Sequence, residues 1–229
     1  MDRRKRIAFY GGTFDPVHLG HLAVAEKVVR LFEIDELRFV PAQVAPHKVS
    51  RAVTPALHRY AMLALATQDN DRLLVSSFEL DEPERSYTVD TLAHFKADLA
   101  ETSITFFIMG ADSWNEITSW RDWERLLAIT SHIVVTRPGY DLSAGPITPA
   151  LDGRIVDLRG AAAARVSEIV NTSEGERIFL TDAVTMDISA TDIRLAARVD
   201  ADEQLARLVP LSVANYIRKY GLYRDTNER

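Results

Sequence analysis

Gly11-Gly12-Thr13-Phe14-Asp15-Pro16-Val17-His18-Leu19-Gly20-His21 follows directly on an apolar run, Ile7-Ala8-Phe9-Tyr10, and leads directly into a helical pattern, Leu22 to Leu31. A glycine pair and two histidines therefore stand at the seam between a first strand and a first helix. In an open α/β sheet, ligands bind at such seams, outside the carboxyl ends of the strands. A helix starting there turns its free N–H groups and positive dipole end toward the crevice, which suits an anion such as phosphate. The glycines let backbone come close to a ligand with no side chain between. His18 and His21, in the first turn of the helix, share one face and can reach the same group.

Rival phosphate loops do not fit. A Walker A loop needs a Gly-Lys pair, and the chain has none. The dinucleotide fingerprint G-x-G-x-x-G is also missing. Asp15-x-x-His18-x-x-His21 admits two other readings: a zinc site, since His and carboxylate suit zinc, or a plain capping motif. The lack of cysteine and of a helical His-x-x-x-His pair weighs against zinc. Phosphate binding with stabilisation of developing charge is the preferred reading.

Outward from this stretch the chain alternates strands and helices. Arg6 to Tyr10 reads as strand one and His18 to Phe32 as helix one. Leu37 to Pro41 reads as strand two, stopped by its proline. A polar, proline-broken loop, Ala42 to Thr54, precedes a helix from Pro55 to Thr67, with Thr54 as its N-cap. Leu73 to Ser76, Ile104 to Met109 and His132 to Thr136 are further strands, and Thr88 to Leu99 is helical. This order predicts βαβ units and a mostly parallel sheet, and near-continuous apolar strands predict helices on both faces. The pattern then loosens. Tyr140 to Gly153 reads as a loop, Arg154 to Leu158 and Arg177 to Leu180 as strands, and Ala161 to Val170 as a short helix. Thr191 to Tyr223 is helical, broken by Pro210.

The fold class expected is α/β: a Rossmann-like, mostly parallel, doubly wound sheet with a small helical C-terminal part. The expected organisation is one domain over 1–229, its core about 6–190 and its helical part about 191–223. Apolar residues make up 47% and charged residues 26%, as in soluble globular proteins. A net charge of −6, with no basic stripe, disfavours nucleic acid as a partner. No segment is long enough to cross a membrane, and the apolar run behind the basic start is too short for a signal peptide. With no cysteine, thiolate chemistry is excluded and a cytoplasmic location is expected. The sequence leaves a homo-oligomer open.

Three further constellations stand out. In Pro46-His47-Lys48, the lysine lies past the carboxyl end of strand two, on the same rim as His18, where a point charge can neutralise phosphate oxygens. A solvated loop lysine is the plainer alternative. In Ile188-Ser189-Ala190-Thr191-Asp192-Ile193-Arg194, Ser189 or Thr191 caps another helix, and Arg194 can fork onto phosphate or simply be exposed. Trp114, Trp120 and Trp123 crowd one segment; the 120/123 spacing suits one helix face packed on the core, or a tryptophan stacked on a flat ring.

These residues resemble a known family. Gly11 to His21 resembles the T/H-x-G-H signature of the nucleotidylyltransferase superfamily, and Ile188 to Arg194 resembles its I-S-S-T-x-x-R signature. Pro46-His47-Lys48, Ser86-Tyr87-Thr88-Val89-Asp90-Thr91-Leu92, Gly110-Ala111-Asp112, Trp120 and Arg137-Pro138-Gly139-Tyr140, in that order, look like the bacterial nicotinate-nucleotide adenylyltransferase family. The chain's close, Val209-Pro210-Leu211 to Tyr223, is similar as well.

The resemblance implies transfer of AMP from ATP to nicotinate mononucleotide, with deamido-NAD and pyrophosphate as products. It implies that His18, His21, Lys48 and Arg194 serve catalysis. It assigns Gly11, Gly12, Thr13, Phe14, Asp112 and Ser189 to ATP, and Tyr87, Thr88, Trp120 and Arg137 to nicotinate mononucleotide. Magnesium would be carried by ATP, with no protein residue assigned as a metal ligand. Two departures exist: Ala190 stands where the superfamily usually has a second serine, and Ala45 precedes Pro46. The stretch from Leu142 to Glu176 carries no recognisable motif. The rivals are another adenylyltransferase of the superfamily, with nicotinamide mononucleotide or phosphopantetheine as acceptor, and a non-catalytic nucleotide sensor.

Overall fold

The computed structural model of the chain describes residues 4–43, 53–81, 87–99, 103–136, 151, 153–183, 186 and 188–224. Its strands are β1 (Arg6–Gly12), β2 (Glu36–Pro41), β3 (Leu73–Val75), β4 (Ile104–Gly110), β5 (Ser131–Val135), β6 (Ile155–Asp157) and β7 (Ile178–Thr181). They form one sheet in the order β3-β2-β1-β4-β5-β7-β6, and every described pairing is parallel. The helices are α1 (Leu19–Leu31), α2 (Ala56–Thr67), α3 (Phe78–Asp81), α4 (Thr88–Asp98), α5 (Ala111–Asn115), α6 (Trp123–Ile129), α7 (Ala163–Thr172), α8 (Ala190–Arg198), α9 (Asp202–Leu208) and α10 (Leu211–Tyr220).

Alternation along the strands builds two cores, because successive side chains point to opposite faces. Ala8, Phe39, Phe106, Ile108, Ile133 and Phe179 point one way and pack with α1, α2, α7 and the C-terminal helices. Ile7, Phe9, Val40, Phe107, Met109, Val134 and Leu180 point the other way and pack with α4, α5 and α6. The doubly wound α/β expectation is met, and α8 to α10 join the first core through Ile193, Leu205, Val213 and Ile217. The motif-poor stretch supplies β6 and α7; Val166 and Val170 of α7 join the first core as well.

Local chemistry sets the helix boundaries. Buried Val24, Ala25, Val28, Val29 and Leu31 give α1 one inward stripe. Pro55, not Thr54, is the N-cap of α2. Pro210 caps α10, and Gly221 ends it at φ 58. The tryptophan spacing is corrected: Trp120 ends a 3-10 turn (Ile117–Ser119) in extended conformation, and Trp123 opens α6. Asp122 between them sits at φ 49, so the two rings do not share a helix face. Trp114 is the buried one of the three.

Strand order reverses between β1 and β4: β2 and β3 lie to one side of β1, and β4 and β5 to the other. That is the switch point at which ligands bind in such sheets. Gly11 and Gly12 end β1 there, and Gly110 ends β4.

Candidate active site

A cleft of about 320 Å³ opens at this switch point. Gly11, Gly12 and Thr13 form one part of its wall, Phe107, Met109 and Gly110 another, and Val40 and Ala42 a third. The close packing explains the glycine pair. A Cβ on Gly11 would stand 3.0 Å from the Phe107 ring, and one on Gly12 would stand 2.9 Å from the Phe14 ring.

Across the cleft lie Tyr87, Thr88 and Trp120, three residues that the resemblance ties to the pyridine nucleotide. Thr88 is the first residue of α4, and Tyr87 its N-cap. The Arg121 guanidinium lies 4.4 Å from the Tyr87 ring centroid. Glu79, Ser113, Ser119 and Arg121 complete this side, and the sequence motifs singled out none of them. Glu79 accepts a hydrogen bond from the Thr91 hydroxyl at 2.8 Å. Burial raises its carboxyl to about 7, against the opposing effect of that bond.

The histidines sit beside the cleft, at the amino end of α1. His18 is the N-cap, and its N–H donates to His21 Nδ1 at 3.3 Å. Their rings stack at 3.6 Å between centroids. The shared face expected from their spacing is present. Asp15 does not join them as a third ligand: its Oδ1 accepts from the Tyr223 hydroxyl at 2.9 Å. Among the described residues, no group of three or more acidic or histidine side chains is placed to hold a metal ion.

Phe14 lies in this loop, but its ring does not face outward. It is buried against Tyr10, Phe39 and His21, with the backbone at φ 48. The apolar ring thus completes the core beneath the loop.

The second signature abuts the first. A Cβ on Gly20 would lie 3.7 Å from Ile188 Cβ. Ser189 is the N-cap of α8, and its Oγ accepts from the Asp192 N–H. Arg194 Nη1 donates to the Asp15 carbonyl at 2.7 Å and Nη2 to Thr191 Oγ1 at 2.9 Å. Asp112 is exposed in the first turn of α5, past the end of β4. Lys48 and Arg137 lie outside the described residues.

Sequence reasoning also missed Arg59, a fully buried arginine of α2 whose guanidinium meets the loops after β1 and β2. A signal was present: Arg59 falls on the same stripe as buried Met62, Leu63 and Thr67.

A family model described as cytidylyltransferase-like matches residues 9–196. A probable nicotinate-nucleotide adenylyltransferase of Thermoanaerobacter sp. (strain X514) is 38% identical, covering 100% of this chain and 99% of that one. One of the same name from Mycolicibacterium vanbaalenii is 37% identical, covering 99% and 95%. The chain belongs to the nicotinate-nucleotide adenylyltransferase family.

Solved structures agree in fold. The nicotinic acid mononucleotide adenylyltransferase of Plasmodium falciparum, complexed with APC, superposes with a TM-score of 0.67 at 20% identity, over 96% of this chain and 98% of that one. The same enzyme complexed with NaAD gives 0.66. As a family member the chain is a nucleotidyltransferase enzyme. Among the described residues, no helix is long and apolar enough to cross a membrane.

Proposed function

We propose that this enzyme transfers AMP from ATP to nicotinate mononucleotide, giving deamido-NAD and pyrophosphate, by direct in-line attack. The observation that carries the reading is the cleft itself. Gly11-Gly12-Thr13 and Tyr87, Thr88 and Trp120 line it together, so a phosphate-type loop and aromatic residues share one space.

The acceptor's phosphate is already a nucleophile at neutral pH, so no general base is required. The task is to place it in line with the α-phosphate of ATP and to stabilise charge on departing pyrophosphate. In this reading the amino end of α1, with His18 and His21, faces the triphosphate; Ser189 and Arg194 hold its outer phosphates, and Asp112 lies near the ribose. The support is positional: both signatures meet at one rim, and Arg194 is tied to the Asp15 carbonyl within the first. Lys48 and Arg137 are assigned by resemblance alone, to the reacting phosphates and the mononucleotide side. Magnesium carried by ATP would supply neutralisation of phosphate charge, with no residue of the chain assigned to hold it. The core of about 6–190 and the helical part of about 191–223 act as one unit, supported by their shared hydrophobic core. A cytoplasmic site of action fits the absence of cysteine.

Pyrophosphate release with ATP and Mg²⁺ tests this. Nicotinate mononucleotide should be used about tenfold or more faster than nicotinamide mononucleotide or phosphopantetheine, a difference of ~1.4 kcal/mol or more in barrier. Release with none of the three would sink the assignment and favour a nucleotide sensor.

A further inference from the structure

Among the described residues, two arginines are almost wholly enclosed. Arg6 is 0% exposed and Arg59 1% exposed. They lie at opposite ends of the sheet. Arg6 opens β1, far from the cleft; its Nη1 donates to the Phe32 carbonyl at 2.6 Å and to Glu33 Oε2 at 3.2 Å, and its Nη2 to Asn171 Oδ1 at 2.6 Å. Arg59 lies at the cleft end. Its Nη1 donates to the Thr13 carbonyl at 2.7 Å. Its Nη2 donates to the carbonyls of Ala42, at 2.6 Å, and Gln43, at 3.2 Å. Its Nε donates to the Thr54 carbonyl at 2.9 Å.

The two sets of partners differ in kind. Arg6 reaches a carboxylate, whereas every hydrogen bond of Arg59 goes to a backbone carbonyl. Thr13 and Ala42 both line the cleft, one after β1 and one after β2. The β1–β2 ladder up to Gly12 and Pro41, and the bond from Ala42 N–H to the Gly12 carbonyl at 3.0 Å, also join these two walls. A planar guanidinium holds several acceptors at fixed separations, which an ammonium cannot do. Among the described residues no carboxylate forms an ion pair with Arg59. Its hydrogen bonds all go to carbonyls, and the charge of nearby Asp15 favours the cation against the cost of burial; the guanidinium lies beneath a loop suited to anions.

We propose that Arg59 is a positioning residue of the adenylyl-transfer site. Its guanidinium sets the spacing between the Gly11-Gly12-Thr13 loop and the Ala42-Gln43 turn, and so presents the backbone to the polyphosphate. The inference rests on the reading of this loop as the ATP site.

Arg6 supplies the internal control. Arg59→Lys, Arg59→Gln and Arg6→Lys are compared with the unsubstituted protein by thermal melting, by ATP binding in calorimetry, and by kcat and KM for each substrate. Both lysine variants should melt lower. Arg59→Lys should lose on the order of 10²-fold in kcat, as expected for misplacement by about 1 Å. It should also bind ATP more weakly, while KM for the acceptor stays within about twofold, since the pyridine wall is untouched. Arg6→Lys should keep kcat and ATP affinity.

Folded Arg59 variants with unchanged kcat and ATP affinity would overturn the proposal, as would equal losses in Arg6→Lys. If neither Arg59 variant folds while Arg6→Lys does, the residue is an anchor of the whole fold and the positioning role falls. Failure of the functional reading looks different: the unsubstituted protein itself would then neither bind ATP nor release pyrophosphate.

Discussion

The Tyr223 hydroxyl donates a hydrogen bond to Asp15 Oδ1 at 2.9 Å, joining the signature loop to the turn that follows the last described helix. Asp15 is only 4% exposed, so its carboxylate depends on such donors. Burial raises the Tyr223 hydroxyl far above its ordinary pKa, and the neighbouring Asp15 charge raises it further. The hydroxyl therefore remains a donor at every working pH.

Tyr223→Phe removes this donor and leaves the ring. The cost should be ~1–3 kcal/mol, the usual result of leaving a buried acceptor short of a partner. Calorimetric melting should show it as a fall of about 2–12 °C. An unchanged melting temperature would mean that Asp15 is satisfied without Tyr223.

His18→Ala should lower kcat by ~10²-fold or more, by analogy with removing one donor from a site of developing negative charge. KM for the acceptor should move little. Steady-state kinetics at saturating ATP decides it, and full turnover in the variant would remove His18 from the mechanism.

Gly20→Ala separates activity from stability. The added Cβ would sit 3.0 Å from His18 Nδ1, so the stacked ring must shift by a few tenths of an ångström. Alanine is the better helix former by ~1 kcal/mol. Activity should fall severalfold while the melting temperature holds or rises; a parallel loss of both would contradict this account.

Glu79 should give the protein a pH-dependent cost. Its folded value, about 7, lies above its unfolded one, so the folded state binds the extra proton and stability declines as pH rises toward about 7. Glu79→Gln should remove that decline. The variant should gain stability over the unsubstituted protein near about pH 8 and lose the advantage near about pH 4. Denaturant titrations at both pH values would test the sign.

His132 should act in the opposite sense. Complete burial and the nearby Arg154 charge lower it to about 3, so it is neutral in the folded protein. The unfolded chain takes up that proton near about pH 6.5, so stability falls as pH drops from there toward 3. His132→Leu should flatten this acid limb, read as the slope of unfolding free energy against pH. A slope equal to that of the unsubstituted protein would exclude His132 as its source.

The sheet was legible because its signal is local. Ile104 to Met109 is a continuous apolar run, and strand propensity needed no help from the rest of the fold. His18 and His21 were legible as a pair by spacing, although His18 is the extended N-cap and it is ring stacking that brings the two together. Arg59 was not, because its partners come from the loops after β1 and β2 and are carbonyls, which every residue carries. Nor was Glu79, whose burial depends on how α3 and α4 close on each other. Trp120 was read as a possible helical neighbour of Trp123; the left-handed Asp122 between them is a backbone choice that spacing does not encode. The burial of the Phe14 ring was not legible either, because the demand for an apolar plug there arises from Tyr10 and Phe39.

Strand order also has a meaning in time. As the chain leaves the ribosome, β1 emerges first, and β2 and then β3 can each join an edge that already exists. β4 and β5 then extend the other side in the same way. Among the described residues β6 breaks the sequence: it pairs with β7, which is made later and lies between β6 and β5. Among the described strands, Ile155–Asp157 thus emerges before the neighbour that receives it, and the sheet closes out of turn at this edge.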